Sequence, residues 1–181
     1  MSALHSALPL LAASFFLGGC WYSSSVSGSK DGTAQMRRID QVNAGTTPQQ
    51  AQALISGKTW RATGSLYGPA VHYSTSDGRD FAWFYEGRQV VAGEWKVESG
   101  PSGSSSAPMT KVCLRYPGEA THPISKAAGA DWYCQPAGAV FERMGERVDG
   151  DPLGLASRSE LPFVSRHKNP TISQLQALLP R

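Results

Sequence analysis

Between residues 59 and 143 the chain breaks into short runs in which apolar and polar side chains alternate, the period of a strand buried on one face. The clearest run holds Val91, Gly93, Trp95 and Val97 on one side, with Glu94 and Lys96 on the other. Phe81, Trp83 and Tyr85 share a face in the same way, as do Trp60 with Ala62, and Val112 with Leu114 and Tyr116. The pattern predicts strands at 59–65, 70–74, 80–85, 89–97, 109–116, 132–135 and 139–143. Ser76-Asp77-Gly78 and Glu86-Gly87 supply hairpin turns, and the Ser/Gly/Pro-rich stretch 98–108 reads as a longer loop. Gly93, inside its strand, reads as a bend or bulge.

Short strands with one apolar face must close on one another or on a helix. A helix stands directly before them. Thr47 suits an N-cap, Pro48 the first helical position and Gln50 the third, a capping box. Ala51, Leu54 and Ile55 form its apolar stripe, and Gly57 suits the residue past its end. The expected fold is therefore mainly β: a small antiparallel barrel or strongly bent sheet of about six to eight strands. One short helix precedes the sheet and another follows it, at 171–179, where Ile172, Leu175, Leu178 and Leu179 share a face.

The organisation is read as a signal peptide at 1–19, a lipidated Cys and flexible tether at 20–46, the β domain at 47–145, and an irregular tail with a short helix at 146–181. The first nineteen residues carry no Lys, Arg, Asp or Glu, and 7–17 is an apolar run too short to span a bilayer. Leu17-Gly18-Gly19-Cys20 follows and resembles the lipobox of bacterial lipoproteins, which implies lipidation at Cys20. Acyl chains contribute about 0.8 kcal/mol per buried CH₂, so two or three of them anchor firmly. Trp21, rather than Asp, follows that Cys, which favours the outer membrane, facing the periplasm.

With Cys20 lipidated, Cys113 and Cys134 remain, and in an oxidising compartment an even remainder is most simply a disulfide. Closing a loop of about 22 residues is worth roughly 3 kcal/mol in the chain-entropy model. The four His are scattered without metal-ligand spacing, so no metal and no cofactor are expected.

The order of landmarks carries a resemblance. GKTW at 57–60, YSTSDGRDFAW at 73–83, GEWKV at 93–97, KVCLRY at 111–116 and DWYC at 131–134 together resemble domain-of-unknown-function family 995. These are small secreted proteobacterial proteins. The resemblance implies a lipocalin-like small β fold and no assigned activity.

Catalytic patterns do not assemble. Gly57-Lys58-Thr59 lacks the upstream glycine of a phosphate-binding loop and lies between a helix and a strand in the wrong order. No G-x-S-x-G occurs. His72, near Asp77 and Asp80, is the best acid–base candidate, but alternation with Val71 and Tyr73 places it outside the core. Trp60, Tyr73, Trp83 and Trp95 either fill a small core or, in an open barrel, line a pocket for a small apolar ligand. The net charge of +3 is dispersed, which argues against nucleic acid as partner. The reading is a lipid-anchored, non-enzymatic binding or interaction module of the envelope, with another envelope protein as its partner. Its alternatives are a lipocalin-like binder of a small apolar ligand, and an envelope hydrolase using His72 with Asp77 or Asp80.

Overall fold

A computed structural model describes residues 30–63, 69–85, 87–102, 105–116, 131–165 and 169–180. Helix α1 (Lys30–Gly45) and helix α2 (Pro48–Ile55) precede strands β1 (Lys58–Ala62), β2 (Ala70–Ser74), β3 (Arg79–Phe84), β4 (Val90–Ser102), β5 (Ser105–Arg115) and β6 (Tyr133–Pro136). Helix α3 (Ala137–Glu142), strand β7 (Met144–Asp149), a 3-10 turn (Leu155–Ser157) and helix α4 (Ile172–Gln176) complete the chain. The seven strands form one antiparallel sheet in the order β6-β5-β4-β3-β2-β1-β7, curled into a half-barrel. The stretch read as a signal peptide, 1–19, and Cys20, read as the lipidation site, lie outside the described residues. Among the described residues no helix is long and apolar enough to cross a membrane.

Helix α2 forms as its sequence dictates. The Thr47 side chain accepts from Gln50 N, and the Gln50 side chain accepts from Thr47 N. Ala51 and Ile55 are fully buried against the concave face of the sheet, in a core with Trp60, Ala82, Trp95, Val112, Leu114 and Tyr116. At the helix end Gly57 takes φ +67, and its N–H donates to Ser74 O. That turn leads directly into β1, which pairs with β2 on one side and β7 on the other.

The convex face is covered as well. Past β7, Asp151 accepts through both carboxylate oxygens from Leu155 N and Ala156 N, shaping the 3-10 turn. Leu153, Leu155, Leu161 and Leu175 are then buried against Val71, Trp83, Tyr85 and Val90. Each fully buried leucine contributes about 1.5–3 kcal/mol of transfer free energy. Helix α4 is held by its own capping box, Thr171 with Gln174, and docks Ile172 and Leu175 while Leu178 stays exposed. The stretch expected as an irregular tail thus supplies a strand and the second apolar layer.

Four expectations differ from what is seen. The stretch expected as a strand at 139–143 is helical instead: 139–142 lie inside α3 and Arg143 is its C-cap. Gly138 lies so close to α1 that a Cβ there would fall on Ile39 O and the Asn43 side chain, and Gly138 N donates to Asn43 Oδ1. This close docking of small residues overrides a β-prone sequence. In the stretch expected as a tether, α1 is a helix anchored by Asn43 and by Arg38 to Glu142 at 3.2 Å. Its tie is polar, so no apolar period announces it. The loop expected at 98–108 is mostly ladder, because β4 and β5 keep pairing out to Ser102 and Ser105 with one register shift.

Gly93, finally, is no bulge. It pairs regularly opposite Asp80, and a Cβ at that position would overlap the Tyr116 ring and Arg115 O. Gly93 is the seat that admits Tyr116 to the core. Gly93→Ala is expected to lower unfolding stability by about 1–3 kcal/mol, the cost of overpacking a filled site, read from urea denaturation midpoints.

Candidate functional site

The densest polar chemistry of the described residues sits inside the half-barrel. In β2 the even-numbered residues Ala70, His72 and Ser74 face the concave side, while Val71 and Tyr73 face the convex side. Ser74 stands directly across from Asp80, at the start of β3. Asp80 is fully buried, and three side chains meet its carboxylate. Ser74 Oγ donates to Oδ1 at 2.6 Å, and Tyr116 OH donates to Oδ2 at 2.6 Å. His72 Nδ1 lies 2.9 Å from the same Oδ2. Since a carboxylate only accepts, this contact fixes the proton on Nδ1.

A second tier holds these partners. Trp60 Nε1 donates to Ser74 Oγ at 2.9 Å, and the Trp60 ring lies flat on the His72 imidazole with centroids 4.1 Å apart. Phe84 meets that imidazole edge-on. Burial pushes the Tyr116 hydroxyl well above its ordinary pKa, and the Asp80 charge and hydrogen bond push it further the same way. A buried carboxylate is tolerable only when donors replace its water, and charge-assisted bonds of this kind are the strong ones.

Correction is needed for His72, which alternation placed outside. It is 4% exposed. The reason is that β2 is covered on both faces, so alternation distinguishes two buried sides rather than inside from outside. Asp77 does not join it. That residue lies exposed in the β2–β3 turn, bonded by Thr75 Oγ1 and Arg79 Nε. The Thr75 hydrogen bond, assisted by the Arg79 charge, holds its carboxyl below the usual range. Asp77 and Asp80 therefore occupy different environments and form no acid–base pair.

The cluster also differs from a nucleophilic triad. In a triad the imidazole stands between hydroxyl and carboxylate, so that it can take the hydroxyl proton. Here the carboxylate stands at the centre, and the Ser74 hydroxyl points at Asp80 rather than at His72. Ser74 and Asp80 are both fully buried. The arrangement holds protons in place and offers no exposed nucleophile.

The four aromatic residues considered for a pocket are divided. Trp60 and Trp95 lie in the concave core, Trp83 and Tyr73 in the convex one. Trp95 Nε1 donates to Thr75 O and Trp83 Nε1 to Gly87 O, both at 2.9 Å. They line no common space. Cys113 and Cys134, opposite each other on β5 and β6, are joined as a disulfide. Glu98 approaches both sulfurs, the one triad of metal-ligand atoms converging among the described residues, but the sulfurs are already spent on each other.

Sequence reasoning missed Ser74 and Tyr116 as partners of Asp80. The spacing 72, 74 on one strand and 80 across a tight turn was the available signal. It also missed the outer face of β4–β6. There the Trp132 ring meets two cations, Lys96 Nζ and Arg115 Cζ, each 4.6 Å from its centroid. Glu98 pairs with Lys96 at 2.8 Å, and Glu94 pairs with Arg115. All five side chains are partly exposed.

No protein-family model, curated protein or solved structure matches the chain.

The Tyr116 environment has a testable sign. Its folded-state pKa is raised above 10.0, so its contribution to stability is full below that pH and is lost as pH rises further. Tyr116→Phe is expected to cost about 1–2 kcal/mol at pH 7 for the lost hydrogen bond. The gap between variant and wild type should narrow above about pH 10, where only wild type must keep this phenol protonated. A gap constant to pH 11 in denaturation midpoints contradicts the assigned environment.

Proposed function

We propose that the chain is a lipid-anchored envelope protein whose β domain works as a non-enzymatic interaction module. The observation that carries this reading is the outer face of β4–β6. The Trp132 ring, with Lys96 and Arg115 each 4.6 Å from its centroid, stands on the strands that carry the disulfide, among partly exposed side chains. Preorganised aromatic and arginine side chains of this kind are the usual anchors of protein–protein contacts. Two carboxylates alternate with the cations, which suits a mixed-charge protein surface better than a phosphate backbone. The partner is another envelope protein.

The alternatives fare less well. A small apolar ligand needs a cavity, whereas the concave core is packed by Trp60, Trp95, Tyr116 and the α2 side chains. A hydrolase needs His72 free to exchange protons with substrate, and the imidazole is instead held by Asp80 beneath Trp60.

Anchoring and interaction are tested separately. Cys20→Ser is expected to move the protein from the membrane fraction to the soluble fraction. Unchanged membrane association through the same fractionation removes the lipid anchor from the reading. For the interaction, crosslinking in intact envelope is compared between wild type and the Trp132→Ala, Lys96→Glu double variant. Loss of an aromatic anchor costs about 2 kcal/mol or more, roughly thirtyfold in affinity, so the crosslinked species should fall away while thermal stability holds. A crosslink pattern indifferent to the variant sinks this face as the contact surface.

A further inference from the structure

The sheet is a half-barrel with two edges, and the edges are unequal. Strand β6 has four residues and ends in Pro136, which brings no N–H to an incoming strand. Strand β7, MGERVD, has six residues and no proline. One side of it pairs with β1, and among the described residues no strand lies on the other. Gly150 N donates to Gly57 O, so by alternation Val148 and Glu146 also turn their backbone groups to β1. Arg147 and Asp149 turn theirs outward. An open cleft of about 270 Å³ lies at this edge, lined by Leu54, Lys58, Arg147, Val148 and Asp149.

The side chains along the edge carry opposite charges on one face. Arg147 stands across from Trp60, whose ring is in the concave core, so Arg147 and Asp149 share the concave side and Val148 faces the convex one. The Asp149 side chain keeps 90% of its surface accessible although it pairs with Lys58. Arg147 is exposed and makes no ion pair among the described residues.

A bare edge accepts an added strand, and charges placed along it turn most strangers away. Unlike charges at alternate positions nevertheless admit one partner. Consider a second β7 laid antiparallel about a two-fold axis through Val148. Arg147 then stands opposite Asp149 of the second copy, and Asp149 opposite Arg147 of the second copy. These are the residues whose backbone groups point outward, so each pair exchanges both of its N–H···O bonds. The two neighbouring registers that keep the outward groups together set Arg147 against Arg147, or Asp149 against Asp149. Like charges directly opposite are destabilising. The two Val148 side chains meet on the axis, on the convex face.

We propose that the β7 edge joins two copies of this chain in a symmetric dimer, with one sheet continuous across both. The occupant is a second copy because Arg147-Val148-Asp149 is complementary to itself when reversed. This edge lies at the far end of the sheet from β6 and does not depend on the Trp132 face.

The test uses the full chain purified in detergent. A non-hydrogen-bonded antiparallel pair holds its Cα atoms about 4.5 Å apart, within disulfide reach. Val148→Cys is therefore expected to give a covalent dimer on a non-reducing gel after mild oxidation. Wild type, and Gln176→Cys exposed on α4, should stay monomeric. Arg147→Asp and Asp149→Arg, each added to Val148→Cys, should each cut the dimer about tenfold or more without moving the thermal midpoint. Mixed together, those two variants should crosslink again, because each then meets the opposite charge at both positions. The Trp132→Ala, Lys96→Glu changes added to Val148→Cys should leave the dimer intact. No dimer from Val148→Cys, or an equal one from Gln176→Cys, overturns the proposal. So does a dimer indifferent to the charge variants, a mixture that fails to recover it, or its loss in the Trp132 and Lys96 variant.

Discussion

Asp80 is the group around which the rest of the domain is arranged. A carboxylate with no exposure must be met by donors, and three side chains from two parts of the chain supply them: His72 and Ser74 on β2, and Tyr116 directly after β5. Those donors impose further demands. Tyr116 reaches the carboxylate only because Gly93 has no side chain, and Ser74 is oriented by the Trp60 indole. The network ties β1, β2, β3 and β5 at one depth of the half-barrel, across a span that backbone pairing links only step by step. Truncating any one partner would leave another buried and unmet, which is why such clusters fix one arrangement more than they add net stability.

The second organising fact is that the sheet is covered twice. Helices α2 and α3 fill the concave side, and the segment after β7 covers β1–β3 on the convex side. On the β4–β6 face, Glu94, Lys96, Glu98, Arg115 and Trp132 still meet solvent. Its ion pairs are individually weak at such exposure. Their value lies in holding Trp132 in place.

Much of this was legible in the sequence, and the exceptions share a cause. Helices α2 and α4 both announced themselves through Thr-x-x-Gln capping boxes, a signal that is local and complete in four residues. Strands β1–β6 followed from alternation and turn residues, and the disulfide from an even count of cysteines once Cys20 is set aside. What failed depended on distant neighbours. Gly138 is helical because α1 lies against it, and His72 is inside because the C-terminal leucines bury the opposite face. Neither neighbour leaves a mark on the local pattern. Of the buried cluster, only His72 and Asp80 were visible beforehand. Ser74 and Tyr116 read as ordinary strand residues until the register brought them to the same carboxylate.

The pairing of β7 with β1 bears on how the chain reaches this state. Six strands can assemble in sequence order as each emerges, hairpin upon hairpin. The partner of β1 on its other side comes much later, with Lys58 and Asp149 separated by 91 positions. Until then β1 is a bare edge, able to pair with a stranger, and the loop that must close to cover it is long. Distant pairings of this kind slow folding. The Cys113–Cys134 bond lies within that interval and, once formed, takes 21 positions out of the path between the two strands. Oxidation would therefore do more than staple a finished hairpin: it would shorten the search by which the last strand finds the first.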